Sequence, residues 1–210
     1  MNKLSDYTQT HNSEYWQKIF QAPREAYRLV EAMRLENPCL QTEVGKDALY
    51  HIRRAAVDYF LYRIAKETPA IHASFQYNKA KNCRHVELRI DSIYLTASFV
   101  STSSGLPRHA IFRDNLIRQN LLLPFYGDEN EVKATDTYFI LTYGGQDNKL
   151  DYVSLKYPYA DGGLAEIELP TNITAIPNDD IVPVENTESD ILIEIKKEFQ
   201  DFSADYEKQG

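Results

Sequence analysis

The sequence predicts an α+β fold in which N-terminal helices pack on a mainly antiparallel sheet and an amphipathic helix ends the chain. Apolar residues recur at helical spacing near the start, whereas the middle alternates between apolar and polar residues with the period of two that strands show. Helices and strands do not alternate regularly, which argues against a doubly wound parallel sheet. We therefore expect two helices, three strands, a helix, three strands, a linker and a final helix.

Two helices are predicted in the first third of the chain. Residues 12–35 carry apolar side chains at helical spacing. Pro23 interrupts them, so a new segment is expected to begin there, because proline suits a first turn and not a helix interior. Residues 44–67 form a longer apolar face with a single charge, and Thr68 followed by Pro69 stops that pattern.

The first strands are predicted as a hairpin. Residues 71–77 and 86–90 alternate apolar and polar side chains, and the basic segment 78–82 joins them. Residues 93–100 continue as a third strand. The Ser-rich segment 101–105 has no core-forming side chain and is therefore expected to be a loop.

A third helix and three more strands are predicted next. The helix covers residues 109–123, an acidic loop covers 127–135, and the strands cover 137–143, 150–157 and 164–169. The first of these strands is almost continuously apolar and aromatic, which is typical of a strand that is covered on both faces.

The composition divides the chain into three parts. Residues 1–169 are predicted to form a single α+β domain. Residues 170–189 combine prolines with acidic and amide side chains, as linkers do. Residues 190–210 recover an apolar stripe at helical spacing, which predicts a C-terminal amphipathic helix.

Charge is divided unevenly along the chain. All eleven Arg and all five His lie in residues 1–118, where 17 Lys and Arg stand against 12 Asp and Glu, for a net charge of +5. Residues 119–210 hold 6 Lys and 19 acidic residues, for a net charge of −13. Because a basic surface attracts anions and an acidic surface repels them, the N-terminal part is the candidate for contact with a polyanion.

Basic residues occur on the second helix, on the hairpin and around the third helix. Arginine suits phosphate because its planar guanidinium donates two hydrogen bonds at once. The predicted nucleic-acid contacts are Arg53, Arg54, Lys79, Lys81, Arg84, Arg108, Arg113 and Arg118. The alternative is that these side chains are solvated or pair with acids of their own domain, such as Asp58.

The C-terminal helix is a second candidate for interaction. Its apolar stripe predicts partner contacts at Ile191, Ile195, Phe199 and Phe202. A short amphipathic helix behind a linker can dock on its own core, on a second copy of the chain, or in the groove of a partner. Complementary charge on the two parts of the chain also favours a homo-oligomer.

Two further functions compete with simple binding. A divalent-metal-dependent nuclease would hold its ion with Glu87 and Asp91, or with Glu194 in a Glu-Ile-Lys step. An acidic inhibitor, or antitoxin-like protein, would present the carboxylates of the C-terminal part to a basic effector.

Several chemistries lack their motifs. The chain has no GxxxxGK[ST] loop, no GxGxxG and no GxSxG, and its histidines have neither HxH nor HxxxH spacing. Cys39 and Cys83 lie far apart and predict neither a zinc site nor a disulfide framework. We expect no metal and no cofactor. Without a signal-peptide pattern or a membrane-length apolar run, we expect a soluble, cytoplasmic protein that does not contact membranes.

These observations predict a non-enzymatic interaction protein. Its basic N-terminal part would contact nucleic acid or another polyanion, and its acidic C-terminal part would contact a protein partner or a second copy of the chain.

Overall fold

A computed structural model describes residues 13–78, 81, 83–120, 137–145, 149–158, 164–167 and 187–208. The α+β class is confirmed: helices at both ends of the chain accompany one six-stranded sheet. The predicted acidic loop, most of the predicted linker and the candidate Lys79 lie outside the described residues.

Two long helices and a short turn form the N-terminal layer. Helix α1 spans Ser13–Glu36, a 3-10 turn spans Pro38–Gln41, and helix α2 spans Glu43–Glu67. Thr42 caps α2, because its hydroxyl accepts a hydrogen bond from the N–H of Gly45 at 3.1 Å.

Helix α1 passes through Pro23 without ending, so the predicted start of a new segment there was wrong. A proline inside a helix removes one backbone hydrogen bond and costs about 3 kcal/mol. The adjacent side chains of Trp16, Ile19, Ala22 and Ala26 are buried in the core. Tertiary packing of this face therefore outweighs the local preference for a break.

The strands lie side by side in the same order as in the sequence. They span Ile71–Tyr77 (β1), Arg84–Ile90 (β2), Ile93–Phe99 (β3), Thr137–Gly144 (β4), Tyr152–Pro158 (β5) and Leu164–Ile167 (β6). Strands β3 and β4 are parallel, and the other neighbouring pairs are antiparallel. The prediction of a mainly antiparallel sheet is therefore confirmed.

Helix α3, Ile111–Gln119, makes the crossover between the two parallel strands. Asn120, directly after it, ties this helix to the sheet. Its side-chain amide donates to the carbonyl oxygens of Tyr138 and Pro158, both at 2.9 Å, and its side-chain oxygen accepts from the N–H of Tyr138. This cap ends the helix before residue 123, where the sequence pattern placed its end.

The two faces of the sheet have different chemistry. One face contributes Val86, Leu88, Leu95, Phe139 and Leu141 to the main core, which also contains buried residues of α1 and α2. The opposite face holds a smaller apolar cluster under α3 together with buried polar residues. These polar residues are His85, Thr96, Ser98, Thr142, Ser154 and Lys156.

The C-terminal helix α4 spans Thr187–Lys208 and packs on the main core. Phe199 and Phe202 are buried there, with ring centroids 5.5 and 5.4 Å from that of Tyr59. Ile195 is half-buried against the same core, and the side chain of Ile191 lies outside the described residues. Of the three alternatives for this helix, the structure shows docking on the core of its own chain.

No helix in the described part of the chain is long and apolar enough to cross a membrane.

Candidate functional site

Strands β2 and β3 pair over only half of their length. The ladder joins Glu87–Ile90 to Ile93–Thr96, next to the turn between them. Beyond it, residues 84–86 remain paired with β1, and residues 97–99 remain paired with β4. We call the space between these two segments the β2–β3 gap. It lies at the carboxyl end of β3, next to the carboxyl end of the parallel strand β4, a position where sheets often bind ligands.

Two residues of helix α2 form hydrogen bonds to backbone groups of β2 in the stretch where β2 does not pair with β3. The guanidinium of Arg54 donates from Nη2 to the carbonyl oxygen of Arg84 at 2.5 Å. One helical turn later, the carboxyl group of Asp58 is hydrogen-bonded by the backbone of Val86. An acid and a base on one helix face thus replace strand-to-strand hydrogen bonds, which explains why both are buried or half-buried.

Helix α3 contributes a second arginine from the other side of the sheet. Arg113 donates from Nη2 to the Ser98 hydroxyl at 3.0 Å and from Nη1 to the Arg108 carbonyl oxygen at 2.5 Å, and it is hydrogen-bonded to the Tyr138 side chain. Its guanidinium lies 5.0 Å from the centroid of the Phe112 ring. Arg113 therefore links the crossover helix to both parallel strands.

His85 lies close enough to both arginines to feel their charge. Its ring stacks on Phe112 with centroids 3.9 Å apart, and the residue is only 5% exposed. Burial, together with the positive charges of Arg54 and Arg113, lowers the pKa of His85 to about 4. The imidazole is consequently neutral at pH 7.

The acids near this site are held in unfavourable surroundings for a negative charge. Burial raises the pKa of Asp58 to about 7, against the opposing effects of Arg54 and the Val86 backbone. Burial also raises the pKa of Glu87, which lies on β2. Because the arginines stay protonated while Asp58 is about half neutral at pH 7, its carboxyl group offsets only part of their positive charge.

The remaining candidate cations divide into packed and exposed groups. Arg84 is 7% exposed, lies 4.5 Å from the centroid of the Tyr77 ring and donates to the Tyr77 hydroxyl. Arg53 lies 5.3 Å from the centroid of the Tyr27 ring. Lys81, Arg108 and Arg118 are exposed. The structure thus places the guanidinium groups of Arg54 and Arg113 near His85 at the gap, packs that of Arg84 on Tyr77 of β1, and leaves Lys81, Arg108 and Arg118 at the surface.

Sequence reasoning missed part of this site. Ser98, Thr142 and Ser154 align in register across β3, β4 and β5, and the hydroxyls of Thr142 and Ser154 are 2.8 Å apart. Lys156 is buried and donates to the carbonyl oxygens of Ser103 and Gly105. Polar residues at every second strand position look solvent-facing in a sequence, and only the alignment of strands shows that they form a covered polar layer.

The residues considered for a metal centre lie in different settings. Glu87 is half-buried on β2, Asp91 occupies the β2–β3 turn with φ of 50°, and Glu194 is exposed on α4. Within the described residues, no group of three His, Cys, Asp or Glu side chains could hold a metal ion. The geometry therefore adds no support to the nuclease hypothesis.

No family model, no curated protein and no solved structure matches this chain. The site itself is therefore the basis on which a function can be argued.

Proposed function

We propose that this protein is a non-enzymatic binding protein whose N-terminal part contacts nucleic acid or a similar polyanion. The observation that supports the proposal best is that Arg54 and Arg113 both lie near His85 at the β2–β3 gap, where the neighbouring acids have raised pKa values. Guanidinium groups arranged in this way favour phosphate oxygens, which accept charge-assisted hydrogen bonds.

Aromatic side chains next to the cations favour a ligand that carries bases. Tyr77 is 39% exposed, and one face of its ring is covered by the buried guanidinium of Arg84. An exposed ring of this kind can stack on a nucleobase, and stacking tolerates any base sequence. Lys81 and Arg108 are exposed on the segments next to Tyr77 and Arg113, so they are suited to contact neighbouring phosphates.

The direct test is binding of labelled single-stranded DNA, double-stranded DNA and RNA, followed by fluorescence anisotropy at two salt concentrations. We expect affinity that falls as salt rises, because bound phosphates release counterions. Lys81→Ala and Arg108→Ala should weaken binding to every sequence and reduce the salt dependence.

Lys18→Ala is the matched control, because Lys18 is a partly exposed cation on α1 that pairs with Glu14 at 3.1 Å. Affinity that is the same in the wild type, in both surface variants and in this control would contradict the proposal, as would the absence of binding to all three nucleic acids.

For the C-terminal part, we propose contact with a protein partner or a second copy through the exposed face of α4. Ile193 is 62% exposed on this face, whereas Phe199 and Phe202 are buried in the core. Ile193→Ser should therefore reduce self-association measured by light scattering, or capture of a partner, without loss of stability. An unchanged mass and an unchanged set of captured proteins would exclude this face.

A further inference from the structure

Two nitrogen atoms at the β2–β3 gap are buried and have no hydrogen-bond partner among the described residues. They are Nε2 of His85 and Nε of Arg113. Arg113 Nε always carries a hydrogen, and His85 Nε2 carries one in one of its two neutral tautomers. A buried donor without an acceptor is costly, so such a pair indicates an acceptor that joins the site on binding.

The charges around these two atoms indicate that this acceptor is an anion. Arg54 and Arg113 both act on His85 electrostatically. The carboxyl groups nearest the gap are already engaged or shifted towards neutrality: Asp58 is held by Val86, and Glu87 is half-buried with a raised pKa. A compact oxyanion would supply several acceptor oxygens to His85, Arg54 and Arg113 at once.

We propose that the β2–β3 gap binds a phosphomonoester, a phosphate group at the end of a molecule, through Arg54, His85 and Arg113. The inference rests on the proposed contact with nucleic acid, where the ligand would be a strand with a terminal phosphate. A free nucleotide or inorganic phosphate presents the same chemistry.

Burial at this position favours an end group over the interior of a strand. His85 is 5% exposed, and the Arg113 Nε atom is enclosed. A phosphodiester inside a strand is joined to nucleotides on both sides, so the strand must leave the site in two directions. A terminal phosphate is joined to the strand on one side only. Arg113 Nη1 holds the carbonyl oxygen of the exposed Arg108, so the segment before α3 is the part that must move to admit the group.

The test compares one short single-stranded oligonucleotide in two forms, with a 5′-phosphate and with a 5′-hydroxyl, and uses inorganic phosphate and a mononucleotide as competitors. We expect the phosphorylated form to bind at least about tenfold more tightly, as an added charge-assisted contact would produce. Inorganic phosphate should remove this difference by competing for the gap alone.

Two variants test the residues. His85→Phe keeps a ring stacked on Phe112 and removes Nε2, and His72→Phe makes the same change at an exposed position of β1. Arg113→Lys keeps the charge and removes the forked guanidinium, and Arg118→Lys repeats that change at an exposed position of the same helix. We expect the first member of each pair to lose most of the preference for the phosphorylated end, and the second member to keep it.

Should His85→Phe fail to fold, the wild type provides the test by NMR. Phosphate should then shift the Nε–H signal of Arg113 and leave that of Arg118 unchanged. Equal affinity for both oligonucleotides, with no NMR response to phosphate, would overturn the inference and leave polyanion binding standing. Response to phosphate and mononucleotide without binding of any oligonucleotide would support the inference and overturn contact with nucleic acid.

Discussion

Asp58 occupies a position where a neutral acid is more stable than a charged one. It lies on α2 inside the protein and satisfies the Val86 backbone, next to Arg54. Its folded-state pKa of about 7 is above the ordinary value of 3.8, so the folded state binds more protons than the unfolded state between these two values. The stability contributed by this proton is fully present below about pH 4 and is lost as pH rises through 7.

Asp58→Asn should therefore flatten the dependence of stability on pH. The amide keeps an acceptor for the Val86 N–H and cannot ionise, so the variant should gain stability relative to the wild type as pH rises from 5 to 8, by up to about 3 kcal/mol. Urea unfolding across this pH range measures the difference. Asp47→Asn is the control, because Asp47 is exposed on the same helix, and a similar pH profile for both variants would refute the assignment.

His85 should make the free energy of unfolding fall as pH is lowered, which is the opposite of the effect of Asp58. Its folded-state pKa of about 4 is below the ordinary value of 6.5, so the unfolded state binds more protons between them and stability is lost as pH falls from 6.5 towards 4. In the Asp58→Asn variant, where the competing effect of Asp58 is absent, lowering the pH from 7 to 4 should reduce the free energy of unfolding by up to about 3 kcal/mol.

His85→Phe added to that background should remove most of this acid loss. His72→Phe, at an exposed position, should leave it intact. Thermal unfolding between pH 4 and 7 compares the two, and an acid loss of equal size in both would show that another group is responsible.

At the scale of elements, α4 is part of the core although it follows a segment with linker composition. Phe202 is 9% exposed, and its ring centroid lies 5.6 Å from that of Tyr62 and 5.7 Å from that of Phe75. Polar contacts at its surface join the same helix to α1 and α2, because Lys196 pairs with Glu36 and the Tyr59 hydroxyl donates to Glu198 at 2.6 Å.

Phe202→Ala should lower the free energy of unfolding by about 3 kcal/mol, since a buried aromatic ring is lost and a cavity remains. For a chain of this size, that corresponds to a fall in Tm of roughly 6–12 °C. Ile193→Ala, on the exposed face of the same helix, should change stability by less than about 0.5 kcal/mol. If the two variants were equally stable, α4 would not be docked as described.

At the scale of the whole molecule, the basic and acidic parts of the chain would act with opposite sign on the polyanion that we propose as ligand. Glu194 and Asp201 are exposed acids on α4. Their field should oppose the approach of a polyanion to the basic part, and salt should screen this effect because exposed charges interact over about one Debye length.

The double variant Glu194→Gln with Asp201→Asn should bind nucleic acid about two- to threefold more tightly at low salt and nearly as the wild type does at high salt. Anisotropy titrations at the two salt concentrations measure both values. A gain of the same size under both conditions would point to an altered contact and not to long-range repulsion.

The sequence alone determined the class of fold and the nature of most elements. Alternation in residues 71–77 and 86–90 predicts strands correctly because the period of side chains is a local property of the backbone. The apolar run from 137 to 143 also predicts a strand correctly, because both faces of β4 are covered. Local rules failed at Pro23 and at the end of α3, where burial of neighbouring alanines and the Asn120 cap decide the outcome. Both of these depend on contacts that are distant in sequence.

The tertiary structure decided which charged residues form the candidate site. Arg53 and Arg54 are adjacent in sequence, yet one lies over the Tyr27 ring while the other reaches the Arg84 carbonyl oxygen. The sequence shows how many arginines the basic part holds, but it does not show that the β2–β3 ladder ends at Glu87 and Thr96. That early end exposes backbone groups that an acid and a base must satisfy, and it brings Arg54, His85 and Arg113 together from three separate elements.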